Sequence, residues 1–362
     1  MSDAQHAPPS LSGGMAGNPR DALRALEKRY ADQGRLFLVH LDLTWRCPLS
    51  CPHCYLGERK SPELDTGAWL DLLDQARALE VAQVVLSGGE PMARKDFGIL
   101  LEAARARGFA VLVKTTGLWL TAADADRFAA LRWVLVDISL HSATAAIHDA
   151  FVGRDGAWAE AVRAVDALLA RGVSVRIARS VVEGLEDDGG ALWDWAHARG
   201  MRIIESTSVV PRRDGLPAGR ASMSEAAQVG VVLRHMAHRP APAPRVPDPA
   251  APPCAAGHTR LYVTPAGEIN PCVAWPRRLG HLLEGGLPAV LASDALARLR
   301  ALRQGDRHQC SDCELRPTCD FCPGQAEILT GSPDAPYPAA CSRARVLGEA
   351  LRRLREGAGE GR

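Results

Sequence analysis

The chain predicts an α/β fold, a partial (βα)6 barrel followed by a small cysteine-rich domain. Three observations carry that expectation. Strand-like and helix-like stretches alternate six times from Leu36 to Thr207, the pattern of a parallel sheet with helices outside it. Three cysteines, Cys47, Cys51 and Cys54, follow the first strand at spacing C-x3-C-x2-C. The other seven cysteines all lie beyond a proline-rich stretch at His238–Pro253, which reads as a semi-rigid linker.

The elements run in order. Residues 1–18 are rich in Ser, Gly, Pro and Ala and read as disordered. Asp21–Ala31 has helical spacing, with Leu23, Leu26 and Tyr30 on one face. Leu36–Leu43 alternates and is rich in β-formers, a first strand. Thr66–Leu79 reads as a helix burying Trp69, Leu72, Leu73 and Ala76. Val81–Leu86 is an almost continuous apolar run, as in a strand covered on both faces. Further strands are expected at Ala110–Thr115, Trp133–Leu140, Val173–Arg179 and Arg202–Thr207, with a clear helix at Trp158–Ala170. Six units suggest a TIM-like barrel left open on one side, with its site at the C-terminal strand ends. The cysteine loop and the turn Ser87-Gly88-Gly89-Glu90-Pro91 both fall there. Ala344–Glu356 reads as an Arg-rich amphipathic helix with Val346, Leu347 and Leu351 inward. The expected divisions are a tail and helix (1–33), the barrel (34–238), the linker (239–253), the cysteine-rich domain (254–345) and a last helix and tail (346–362).

Composition narrows the function. The chain has 362 residues, 47% hydrophobic and 23% charged, with a formal net charge of +1. Such a charge supplies no bulk field for nucleic acid or an anionic membrane. No run is long and apolar enough to span a bilayer. The N-terminus lacks the basic-then-apolar layout of a signal peptide, so a cytoplasmic protein is expected. In a large cytoplasmic chain, ten cysteines point to metal ligands rather than disulfides.

Three thiolates hold three corners of a 4Fe–4S cube and leave the fourth iron without a protein ligand. An open position marks a catalytic metal centre. The alternative is a zinc site with a fourth ligand elsewhere. The glycines of Ser87–Pro91 allow a ligand to lie against the main chain.

Together, the triplet and the Gly-Gly-Glu-Pro turn resemble the radical S-adenosylmethionine (SAM) enzymes. The resemblance implies that the open iron chelates the amino and carboxylate groups of SAM. Reductive cleavage of the sulfonium then yields a 5′-deoxyadenosyl radical that takes a hydrogen atom from substrate. It implies SAM contacts from Gly88, Gly89, Glu90 and Pro91, with Glu90 and nearby carbonyls accepting from the ammonium. His53, before the third cysteine, would lie beside the adenine through its backbone. Thr116, at a strand end where the family often has Asn, and Ser139 are further candidates. Arg179 is a candidate for the SAM carboxylate through its planar fork, with a surface ion pair as the alternative. His141 stands where Asp is common, either as a scaffold histidine or in catalysis. Pro217–Ala221 resembles a recurrent family segment of structural role.

The later pattern is Cys254, Gly267-x4-Cys272, Cys310-x2-Cys313-x5-Cys319-x2-Cys322 and Cys341. It resembles the SPASM domain, which implies one or two auxiliary 4Fe–4S clusters. Cys310, Cys313, Cys319 and Cys341 would hold one; Cys254, Cys272 and Cys322 would hold the other, with His258, Asp320 or an open iron completing it. The last pair has two intervening residues where the family commonly has three. A zinc knuckle is the alternative, although common zinc patterns need a longer gap between cysteine pairs.

The resemblance covers about Leu36 to Arg345. It implies an oxidoreductase acting on a side chain of a ribosomally made peptide or a protein, by crosslinking or oxidation. The implied partners are an external flavodoxin- or ferredoxin-like electron donor and a separate leader-peptide-binding protein, because the N-terminal piece is too short for such a module. Alternatives are tetrapyrrole side-chain modification and, in another class, a non-catalytic iron–sulfur electron carrier.

Overall fold

A computed structural model describes residues 19–57, 60–183, 185, 190–216, 223–237, 244 and 247–359. The N-terminal tail at 1–18, the Pro217–Ala221 segment and linker residues 238–243 and 245–246 lie outside the described residues.

Six parallel strands follow one another in space as in sequence: β1 (Leu38–Thr44), β2 (Gln83–Gly88), β3 (Ala110–Thr115), β4 (Val134–Ser139), β5 (Ser174–Ser180) and β6 (Arg202–Ser206). A helix stands between each neighbouring pair. The strands are buried on both faces where they meet those helices, as the apolar runs require. Val84, Val113, Val136 and Ile177 are fully covered.

The sheet does not stop at β1. Strand β7 (Arg260–Val263), from beyond the linker, pairs parallel with the other edge of β1. Strands β8 (Glu268–Asn270) and β9 (Gly280–His281) add antiparallel to it. The sheet therefore runs β6-β5-β4-β3-β2-β1-β7-β8-β9. Leu261, Val263, Ile269 and Leu287 join the same apolar core as Leu41 and Trp69.

Element ends differ from expectation for local reasons. Val81 donates its N–H to Ala76, closing the helix Thr66–Ala78, so β2 begins two residues later. That helix is capped by Asp65, whose side chain accepts from Ala68 N–H. It buries Trp69, Leu72, Leu73 and Ala76, as its spacing predicts. Phe37 and Leu38 both donate to the Thr259 carbonyl, so the regular ladder of β1 starts at Leu38. The last helix is longer than expected, Pro338–Gly359. Its Val346 and Ala350 pack on Val229 of the helix Glu225–Ala237.

Candidate active site at the strand ends

The cysteine loop leaves the C-terminal end of β1 and is pinned by the Gly-Gly turn after β2. Gly89 N–H donates to Thr44 O at 2.7 Å, and Glu90 N–H to Arg46 O at 2.9 Å. Gly88 has φ +136°, and a Cβ there would meet Thr44 O at 2.1 Å. A Cβ on Gly89 would lie 2.5 Å from Arg46 O. Both glycines are therefore required by contact between two backbones. Arg94, buried, adds donors to the Leu43 and Leu64 carbonyls at 3.1 and 3.2 Å and pairs with Asp96 at 2.7 Å.

Glu90 is fully buried. Its carboxylate accepts from Met92 N–H (2.9 Å), Thr115 Oγ1 (2.8 Å), Thr116 N–H (2.7 Å) and Thr116 Oγ1. Four donors use the capacity of a carboxylate. Burial pushes its pKa up, against the pull of those bonds. In this arrangement Glu90 ties the turn after β2 to the end of β3.

On the far side of the loop, His53 stacks on Phe151, with ring centroids 5.1 Å apart and planes 11° apart. His141 sits edge-on to both, 5.2 Å from His53 and 4.7 Å from Phe151. Burial depresses His53 to about 4 and holds His141 well below its ordinary value. Both are neutral imidazoles at pH 7. His141 Nδ1 accepts from Ser180 N–H, and His148 Nδ1 accepts from His141 N–H. Ser139 and Thr116 are half-buried at the ends of β4 and β3. Arg179, at the end of β5, is buried and pairs with Glu205 of β6 at 3.1 Å. The pair is thus internal, not a surface one.

Asp42 carries no motif in the sequence. This residue of β1 is fully buried, and its Oδ2 receives Tyr262 OH at 2.6 Å, Tyr55 OH at 2.8 Å and Trp45 Nε1 at 3.2 Å. His40 Nε2 lies 3.3 Å from Oδ1. Burial raises the Asp42 pKa, but His40 and the two tyrosines outweigh it and leave the carboxyl below its ordinary value. The tyrosines are correspondingly pushed well up, first by burial and then by the carboxylate. Tyr55 follows Cys54 directly and Tyr262 belongs to β7, so one carboxylate joins the cysteine loop to the C-terminal region. Alternation of apolar and polar residues along β1 would have marked Asp42 only as facing the opposite side.

The C-terminal thiols fall into two sets. Burial pushes Cys272 up to about 12, with Cys322 and Cys254 nearby adding to the rise. Cys254 feels burial first, then Cys322 and Asp320. His258 faces Arg300 and Arg303 instead. In the second set, Cys310, Cys313, Cys319 and Cys341 line one cavity with Arg307 and Arg316.

The radical SAM superfamily model matches residues 42–188, and the iron–sulfur cluster-binding SPASM model matches residues 254–314. A PqqA peptide cyclase of Ruegeria pomeroyi is 31% identical over 83% of this chain and 86% of its own length. A mycofactocin maturase MftC of Mycobacterium ulcerans is 39% identical over 82% of this chain and 85% of its own. The chain belongs to the radical SAM family and carries a SPASM region. Its fold is similar to Streptococcus suis SuiB bound to precursor peptide SuiA (TM-score 0.70, 17% identity, 94% of this chain and 84% of that one). It is also similar to anSMEcpe with bound AdoMet (TM-score 0.65, 13% identity, 91% and 100%).

This radical SAM enzyme takes SAM and a 4Fe–4S cluster in its barrel and iron–sulfur in its SPASM region. The residues fit those groups. Three thiols on one loop and seven in the C-terminal region supply the sulfur donors that such clusters need. His53 Nδ1 is buried beside Cys54 with no hydrogen-bond partner among the described residues. Such an atom suits a site that a polar ligand completes. Among the described residues no helix is long and apolar enough to cross a membrane.

Proposed function

We propose that this enzyme matures a ribosomally made peptide, starting at one side chain and ending in a crosslink or an oxidation. The observation that carries the reading is the extent of likeness to proteins named peptide cyclase and maturase, which spans both the barrel and the first part of the cysteine array. When bound, the cluster and SAM supply reductive cleavage of the sulfonium and hydrogen-atom abstraction. Cys47, Cys51 and Cys54 would hold that cluster, leaving one iron to SAM. Gly88 and Gly89 keep the turn flush against the loop, and Pro91 opens the short turn after it. Glu90 holds Thr116 and the end of β3 in register with that turn. His53, Ser139 and the carbonyls around Gly88–Pro91 are left to contact SAM. Arg179 reaches a SAM carboxylate only by sharing itself with Glu205.

In the SPASM region, Cys310, Cys313, Cys319 and Cys341 would hold one auxiliary cluster. Cys254, Cys272 and Cys322 would hold a second, completed by His258, Asp320 or an open iron. An external flavodoxin- or ferredoxin-like donor, a separate leader-peptide-binding protein and a cytoplasmic location complete the proposal.

The test is co-expression with a short peptide encoded beside this chain, read by mass spectrometry. Loss of a pair of hydrogen atoms is expected. Three clusters correspond to about twelve irons per chain, and replacing Cys47, Cys51 and Cys54 with Ala removes about four of them together with deoxyadenosine formation. Deoxyadenosine production undiminished in that triple variant would refute the assignment.

A further inference from the structure

One of the two cysteine sets encloses a buried cation. Arg307 lies at the Cys310/Cys313/Cys319/Cys341 cavity with only 5% of its surface exposed. Gln304 Oε1 accepts from one of its terminal nitrogens, and its guanidinium lies over the Phe321 ring at 4.7 Å. Arg316 lines the same cavity. Yet the Nε atoms of both Arg307 and Arg316 are buried without a hydrogen-bond partner among the described residues. No carboxylate pairs with Arg307 among the described residues. Leu315, Phe321 and Tyr337 form an apolar wall around the same cavity. A buried cation with an idle donor is costly unless a negative group completes its surroundings.

We propose that Arg307, supported by Arg316, is a positioning residue that raises the reduction potential of the cluster held by Cys310, Cys313, Cys319 and Cys341. Reduction adds one electron and one negative charge; no bond or proton moves. A fixed cation in an apolar wall favours the more negative form, and cluster potentials follow net charge and hydrogen bonds to sulfur. This inference rests on the two-cluster reading of the SPASM region given above.

The experiment is an EPR-monitored redox titration of the anaerobically reconstituted full-length protein. Arg307→Met keeps the stem and removes the charge. It is expected to disfavour reduction of one cluster about tenfold, or ~59 mV for a one-electron couple, and to leave the other midpoints unmoved. Arg307→Lys keeps the charge and is expected to recover most of the shift. An unchanged midpoint in Arg307→Met with full iron content overturns the inference, as does a Lys variant that behaves like Met. Should Arg307→Met fail to assemble its cluster, Arg316→Met is read instead: a smaller shift in the same direction supports the inference, and none overturns it. Cys310→Ala with Cys319→Ala separates the two levels. Unchanged iron and EPR signals in that variant would remove the cluster itself, and the earlier reading with it.

Discussion

Replacing Asp42 with Asn tests how the cysteine loop is held. Three donors converge on one oxygen of this buried carboxylate: Tyr262 OH, Tyr55 OH and Trp45 Nε1. Hydrogen bonds to a charged acceptor are worth roughly 1 kcal/mol more than those to a neutral one, about 3 kcal/mol over three bonds. Asn avoids the desolvation that is the largest single influence on the native carboxyl, which returns on the order of 1 kcal/mol. The net expectation is a loss of about 2 kcal/mol for Asp42→Asn, and about 4 kcal/mol for Asp42→Ala, where all three donors lose their acceptor. Urea unfolding of the cluster-free protein measures this without the binding energy of the clusters. The sign with pH follows from the depressed carboxyl. Its stabilisation is present above the unfolded value, ordinarily 3.8, and is lost as pH falls through the lower folded value. The gap between wild type and Asp42→Asn should therefore close in acid. A gap below about 0.5 kcal/mol at pH 7, or one that widens on acidification, would show that the carboxylate is not the hub described.

Two further substitutions probe the turn after β2. Gly89→Ala places a methyl 2.5 Å from Arg46 O and 2.6 Å from Trp45 O, so the cysteine loop must shift. Iron retained at the barrel site should drop while auxiliary iron persists, which element analysis and EPR can separate; full barrel-site iron would argue against backbone contact as the reason for glycine. Glu90→Ala deprives four donors of their acceptor, for an expected cost of roughly 2–4 kcal/mol. The Glu90 pKa is raised by burial, so its contribution is greatest below the unfolded value and declines as pH rises through the folded one. Thermal melts of wild type and Glu90→Ala should accordingly converge with rising pH, and a constant difference would contradict that sign.

Much of this architecture was legible because its signals are local. The apolar run Val81–Leu86 signals a covered strand to within two residues of where it starts, and the spacing of Trp69, Leu72, Leu73 and Ala76 marks the buried face of a helix. Cys310, Cys313, Cys319 and Cys341 line one cavity, although they are spread over 32 positions of the sequence. What could not be read depends on pairing across the chain. Asp42 meets Tyr262 across 220 residues, and no periodicity encodes that contact. Glu90 looks in sequence like a free ligand at a Gly-rich turn, but two threonines at the end of β3 occupy it. Arg179 looks like a strand-end cation, but parallel pairing sets it beside Glu205. Arg307 carries no motif, because its meaning comes from burial among thiols.

The cysteine-rich region completes the barrel as well as following it. Without β7, strand β1 would be an edge, and the backbone of Leu38–Leu41 would face solvent with its hydrogen bonds open. Asp42 would lose Tyr262, its shortest partner. Leu261, Val263, Ile269, Leu287 and Val290 would leave the main core, and at about 1.5–3 kcal/mol for each buried side chain the loss is on the order of 10 kcal/mol. That matches the whole stability of a typical domain, about 5–15 kcal/mol. A chain ending at Pro253 is therefore expected to be insoluble or to lack a cooperative unfolding transition, even though it keeps Cys47, Cys51, Cys54 and all six barrel strands. Size-exclusion chromatography and near-UV circular dichroism decide the matter. A monomeric, cooperatively folding 1–253 fragment would mean that β1 tolerates an open edge and that the C-terminal region is a separable attachment.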